Sequence, residues 1–196
     1  MQYPRKSLIY LVGIASLVML AGCGGTVTVS STATPAATAT SAPTATATTP
    51  PTIPVKVYFS KNPDSLSDFS KVFPVDRTAP DLRVATFAME QLIVGPTASE
   101  AAGGLFSQVK TAVAGAPAHG DDHCGTGITF SMTIPSAGVG RMQFCVATTS
   151  GGIGDDARIQ AEINATLKQF STITTVKICT ADGDTFGNES GMKIPC

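Results

Sequence analysis

Two histidines, five cysteines and a scatter of carboxylates are the residues of this 196-residue chain with chemistry to offer. Both histidines lie in the segment Ala118-His119-Gly120-Asp121-Asp122-His123-Cys124. A four-residue spacing with flanking carboxylates suits a metal such as zinc. Gly120 and the neighbouring alanines, however, argue against a helix that aims both imidazoles at one point. His119 and His123 are therefore read first as a solvated loop beside a disulfide and only second as metal ligands. The segment Asp182 to Glu189 has the outline of a calcium loop. It offers no oxygen at the fifth position, Phe186, and has Lys193 where a bidentate Glu is needed, so it reads as a polar turn. Gly151-Gly152-Ile153-Gly154 completes no dinucleotide fingerprint, and the chain has no GxSxG elbow, phosphate-binding loop or HExxH. Glu90 and Glu100, near the end of an expected helix, read as solvated carboxylates. No catalytic residue and no cofactor are expected.

The cysteines say more. Arg5 and Lys6 precede an apolar run from Leu8 to Leu20, which is short for a membrane span and correct for an export signal. Leu20-Ala21-Gly22-Cys23 resembles the lipobox of bacterial lipoproteins. That resemblance implies a signal peptide over 1–22 and covalent attachment of diacylglycerol to the Cys23 thiol. Two acyl chains, at about 0.8 kcal/mol per buried methylene, suffice for stable anchoring. Four cysteines remain, an even number in a chain expected to be exported, which favours two disulfides. The preferred pairing is Cys124 with Cys145, across the base of a hairpin, and Cys179 with Cys196, pinning the C-terminal tail. Cys145 and Cys179 both fall on the polar faces of their strands, so a bond between those two stays open.

Charge is distributed as unevenly as sulfur. Charged residues make up 14% of the chain, against roughly 25% in ordinary soluble domains. Between Lys6 and Lys56 there are none, and from Ser31 to Thr52 every residue is Ser, Thr, Ala or Pro. Such a segment has no large apolar side chain to bury and cannot offset the entropy of ordering. Residues 23–54 are read as a lipid-anchored disordered linker, extended by its prolines. Of the 27 charged side chains, 25 lie in Val55 to Cys196, with a chain net charge of −1. That balance excludes electrostatic binding of nucleic acid.

The elements expected from Val55 to Cys196 alternate. Val55 to Phe59 has the period of a half-buried strand, and a loop follows through Phe73-Pro74-Val75-Asp76-Arg77. Pro80 and Asp81 open a helix carrying Val84, Ala85, Ala88, Met89 and Leu92 on one side, ended by Gly95-Pro96. Thr97 to Glu100 has the capping-box pattern of a second, short helix. Ile128 to Ile134 and Met142 to Val146 form a hairpin turned at Gly138 to Gly140. The longest helix starts at Gly154-Asp155-Asp156 and bears Ile159, Ile163, Leu167 and Phe170, and Thr174 to Thr180 is the last strand. The fold class is thus α/β (α+β): a single two-layer domain in the order βαββαβ, with helices on one face of a small mixed sheet.

Several of these segments together resemble the GerMN domain of exported proteins linked to sporulation and spore germination, found also in bacterial envelope lipoproteins. They are Val55 to Phe59, Val75 to Arg77, Leu92-Ile93-Val94-Gly95-Pro96-Thr97 with Glu100 and Gly104-Leu105, Arg141 to Cys145, Gly154 to Arg158, and Leu167 to Phe170 leading to Val176 to Ile178. The stretch from Leu92 to Glu100 is the most specific. The resemblance covers nearly all of 55–196. It implies a small α/β domain without catalytic residues, in which Gly95, Pro96, Thr97 and Glu100 are structural.

The leading functional expectation is a non-catalytic cell-envelope lipoprotein on the extracytoplasmic side of a bacterial membrane. It presents a protein-interaction domain to an envelope protein or a cell-wall component, with sporulation, germination or envelope assembly as context. Self-association is open. The alternative is a surface lipoprotein that binds a solute or a metal through His119 and His123; a hydrolase ranks third, for want of a nucleophile with its base.

Overall fold

The computed structural model describes residues 52–114, 124–125, 127–188, 190 and 192–196. The expected leader, Cys23, the linker up to residue 51 and both histidines lie outside the described residues. Within them, no helix is long and apolar enough to cross a membrane.

The chain opens with strand β1 (Ile53–Lys61), a turn of helix α1 (Asp64–Ser67) and strand β2 (Phe73–Ala79). Helix α2 (Val84–Val94), short helix α3 (Ala98–Ala102), strand β3 (Leu105–Phe106) and short helix α4 (Gln108–Ala112) follow. The second half is strand β4 (Phe130–Ser136), strand β5 (Gly138–Phe144), helix α5 (Ile153–Lys168) and strand β6 (Ile173–Cys179). The mixed α/β class stands. The single sheet does not: the strands form two three-stranded sheets, β2-β1-β3 and β4-β5-β6, and α5 packs against both β1 and β6. Pairing is antiparallel except between β5 and β6, the parallel strands that α5 connects.

One core serves both sheets. Val57 and Phe59 of β1, Met89 and Leu92 of α2, Met142 and Phe144 of β5, and Ile159, Ile163 and Leu167 of α5 belong to one buried cluster. Burial on this scale, about 1.5–3 kcal/mol per large apolar side chain, is what holds the short elements in place.

The physical reason for two sheets lies along β1. In an antiparallel pair, alternate residues turn their N–H and C=O groups to opposite neighbours. On the side away from β2, Lys56, Tyr58 and Ser60 therefore present their backbone groups to α5. The Lys56 N–H donates to Gln169 Oε1 (2.8 Å) and Gln169 Nε2 donates back to the Lys56 carbonyl (2.6 Å). The Tyr58 N–H donates to Thr166 Oγ1 (3.1 Å) and the Ser60 N–H to Glu162 Oε1 (3.1 Å). Side chains at i, i+4 and i+7 of a helix are spaced about 6 and 4.5 Å along its axis, close to the roughly 6.7 Å between alternate strand residues. A helix edge thus completes the ladder that another strand would otherwise extend.

Other departures are local. Residues Phe73 to Arg77, read as loop, are part of β2: the alternation of half-buried and exposed residues is there, and an edge strand tolerates Pro74. Helix α2 starts at Val84, because Asp81 Oδ1 accepts the Arg83 N–H (2.8 Å) and holds the preceding residues in a turn. The hairpin turn is tighter than expected. Ala137 alone separates β4 from β5, and Gly138 supplies the left-handed backbone (φ 79°) that the reversal requires.

Candidate functional site

Helix α3 is capped as its sequence demands. Thr97 Oγ1 accepts the Glu100 N–H (3.3 Å) and Glu100 Oε2 accepts the Thr97 N–H (2.8 Å). The same carboxylate is gripped by Arg77 of β2 through two bonds, Nη1 to Oε1 (2.8 Å) and Nη2 to Oε2 (2.7 Å). The guanidinium beside it, and then the Thr97 N–H, hold the Glu100 carboxyl down at about 2. Gly95 ends α2 at φ 86°, and a Cβ there would lie 2.8 Å from Lys110 Cδ. Gly95, Pro96, Thr97 and Glu100 are thus brought together with Arg77 in one brace between β2, α2 and α3. Glu100 is not a free solvated carboxylate; its partner stood in a segment read as loop.

Sequence reasoning also missed the most buried carboxylate. Glu162 is fully buried in the middle of α5. Besides the Ser60 N–H it accepts the Gln108 N–H on both oxygens (3.0 Å each) and the Val109 N–H (3.1 Å). Burial pushes its carboxyl up, and the N–H groups of Gln108, Val109 and Ser60 pull the other way. These donors are the N–H groups at the buried start of α4 and at the inner edge of β1, so Glu162 is a structural joint and not a free acid. One turn before it, Arg158 packs over the Phe69 ring (5.0 Å), pairs with Asp155 and reaches the Ser65 carbonyl (3.3 Å).

The cysteines pair as preferred: Cys124 with Cys145 and Cys179 with Cys196, with Cα atoms 5.4 and 5.6 Å apart. The Cys145–Cys179 alternative is not what forms. The second bond ties the tail against the C-terminal end of β6, at Ile178 and Cys179. The Phe186 N–H donates to the Ile178 carbonyl (2.9 Å), Thr180 to Asp184 (2.8 Å) and Thr185 to Ile194 (2.7 Å). The Asp182 segment is therefore part of a backbone clamp. A groove of about 500 Å³ runs beside it, with Asp156, Asp182, Asp184 and Lys193 among its walls. No group of three His, Cys, Asp or Glu among the described residues is placed to hold a metal.

Another concave surface lies between α2 and β4. Two adjoining apolar hollows, of about 290 and 390 Å³, are lined by Ala85, Ile93 and Val94 on the helix and by Phe130, Met132 and Ile134 on the strand. Val94 is 62% exposed and Ile134 52%. Beside the hollows runs the free edge of β4, an outer strand of its sheet. The Cys145 N–H donates to the Thr129 carbonyl (2.8 Å), and the register pairs Phe130 with Phe144 and Ser131 with Gln143. Alternation then turns the backbone groups of Ser131 and Thr133 towards β5 and those of Phe130 and Met132 outwards. Phe130 and Met132 thus line the hollows with their side chains and turn their N–H and C=O groups off the edge.

No protein-family model, no curated protein and no solved structure matches the chain.

Proposed function

We propose that this chain is a GerMN-like envelope lipoprotein, anchored through Cys23, whose domain from Val55 to Cys196 binds another protein and catalyses no reaction. The anchor is supported by the lipobox-like Leu20-Ala21-Gly22-Cys23 and by the uncharged Ser/Thr/Ala/Pro segment behind it. The observation that carries the binding role is the apolar groove beside the free edge of β4. Exposed apolar surface next to unpaired backbone groups is a hazard that folded proteins usually cover, and where it stays open it marks an interaction site.

The experiment is a pull-down from membranes with the full-length protein, against a chain lacking Val55 to Cys196. Saturable retention of envelope proteins by the full chain alone is the expected result; equal retention by both, or none, overturns the reading. Cys23→Ala should move the protein from the membrane fraction to the medium or periplasm.

A second reading, a solute-binding lipoprotein, is favoured by the polar groove beside Asp182 and Asp184. A small-molecule screen read by thermal shift, with shifts abolished by Asp182→Asn plus Asp184→Asn, would support it.

A further inference from the structure

Three edges of this domain are closed, in whole or in part, each by a different means. The inner edge of β1 is filled by Glu162 and Thr166 of α5, by Gln169 just after it, and by β3 at Ser60 and Lys61. The outer edge of β2 carries Pro74, Asp76 and Arg77, residues that discourage pairing. The outer edge of β6 is covered at its C-terminal end, at Ile178 and Cys179, by the tail that Cys196 ties down. The outer edge of β4 has no charged residue; Pro135 and a register break between Thr133 and Ser136 close its far end, and along Phe130 to Thr133 no described residue pairs with it.

Resting on the interaction-domain reading, we infer that the β4 edge takes an extended segment of the partner protein. The segment adds antiparallel to β4, with apolar side chains at alternate positions and a Lys or Arg towards its C-terminal end. Main-chain bonds to Phe130 and Met132 give the attachment, and alternate side chains enter the hollows against α2, the strand-addition mode of peptide recognition. From Ile128 to Ile134 the groove is about 20 Å long at 3.3 Å per residue, which fits about six extended residues.

The charge at one end selects the occupant. Glu90 lines the hollow beside Ile128 and Phe130 and is the one charged residue of α2. It stands in no ion pair among the described residues, and Arg83, the cation that shares a neighbouring hollow with it, is held by Asp81. An antiparallel strand ends at that side, so its C-terminal flank meets Glu90. A second copy of this chain fits less well. Pairing β4 with β4 about a two-fold axis brings the far end of the other α2 towards Glu90. There Arg83 is already held by Asp81 through Nη2 (3.0 Å) and Nε (3.2 Å), so no free cation arrives.

The test is panning of random heptapeptides, displayed on phage in an unstructured frame, against the full-length protein in detergent micelles. Enriched peptides should carry apolar residues at every second position and Lys or Arg towards the C-terminal end. Ile134→Lys, an exposed position that leaves the core intact, should weaken the best synthetic peptide at least tenfold. Glu90→Lys should weaken it about threefold to tenfold and redirect selection to Asp or Glu at the same place. Bound peptide should slow amide exchange at Phe130 and Met132 at least tenfold. The inference is overturned by no enrichment, by apolar residues at helical spacing, by binding that ignores both variants, or by a homodimer in sedimentation that Ile134→Lys dissolves. If membrane pull-downs retain envelope proteins equally with wild type and both variants, the groove assignment falls and the interaction reading stands. If wild type retains none, both fall.

Discussion

Strand β1 offers its inner edge to helix α5, and strand β4 offers its outer edge to no described residue. Both edges expose the same chemistry, a row of N–H and C=O groups at alternate residues. At β1 the row is met by three polar side chains spaced along one helix stripe, and one of them, Glu162, is buried where an unpaired backbone group is costly. At β4 the row lies at the surface, where water can satisfy it, and apolar side chains flank it. Backbone satisfaction is thus compulsory inside the core and optional at the rim. An optional edge is one a partner can use.

Removing the joint at β1 should have the largest effect. Glu162→Ala strands the N–H groups of Ser60, Gln108 and Val109 in the core and should cost about 3–5 kcal/mol in urea unfolding, enough to unfold a marginal domain. Glu162→Gln keeps one acceptor oxygen and should cost clearly less. Next is the clamp over β6. Replacing Cys179 and Cys196 with Ser opens a loop of 17 residues and should cost about 3 kcal/mol, read by thermal unfolding. Thr166→Val leaves the Tyr58 N–H without its acceptor at almost constant volume and should cost about 1–2 kcal/mol.

A smaller, pH-dependent effect belongs to the brace at α3. The Glu100 carboxyl is depressed to about 2 in the folded state from an ordinary value of 4.5, so its contribution is present above 4.5 and lost as pH falls from there towards 2. The pair is only partly buried, so the loss is about 1 kcal/mol, and in Arg77→Met it should shrink to the smaller part that the Thr97 N–H supplies when unfolding is followed from pH 6 to pH 2.5. The smallest stability effect sharpens the contrast: Ile134→Lys on the open edge should change stability by no more than about 0.5 kcal/mol.

Much of the fold was legible because its signals are local. The capping box Thr97-to-Glu100, the apolar stripe Ile159, Ile163 and Leu167, and the alternation of Phe130, Met132 and Ile134 each act within a few residues. Strand β2 was hidden by Pro74 and two charges that an edge strand tolerates and a central strand does not. The polar stripe Glu162, Thr166 and Gln169 was present beside the apolar one. Its meaning depends on β1, about a hundred residues earlier, and no local pattern names that partner. The Arg77–Glu100 pair and the groove between α2 and β4 were out of reach for the same reason: each joins segments far apart in the chain. The His119–His123 loop and Cys23 lie outside the described residues, and the sequence remains their whole support.

Amide hydrogen exchange on the full-length protein, read residue by residue at neutral pH, tests the contrast between the two edges most directly. The N–H groups of Lys56, Tyr58 and Ser60 should exchange only through global or near-global opening, while those of Phe130 and Met132 exchange at least a hundredfold faster in the free protein. Equal, deep protection at both edges would contradict the account, because β4 would then already be paired.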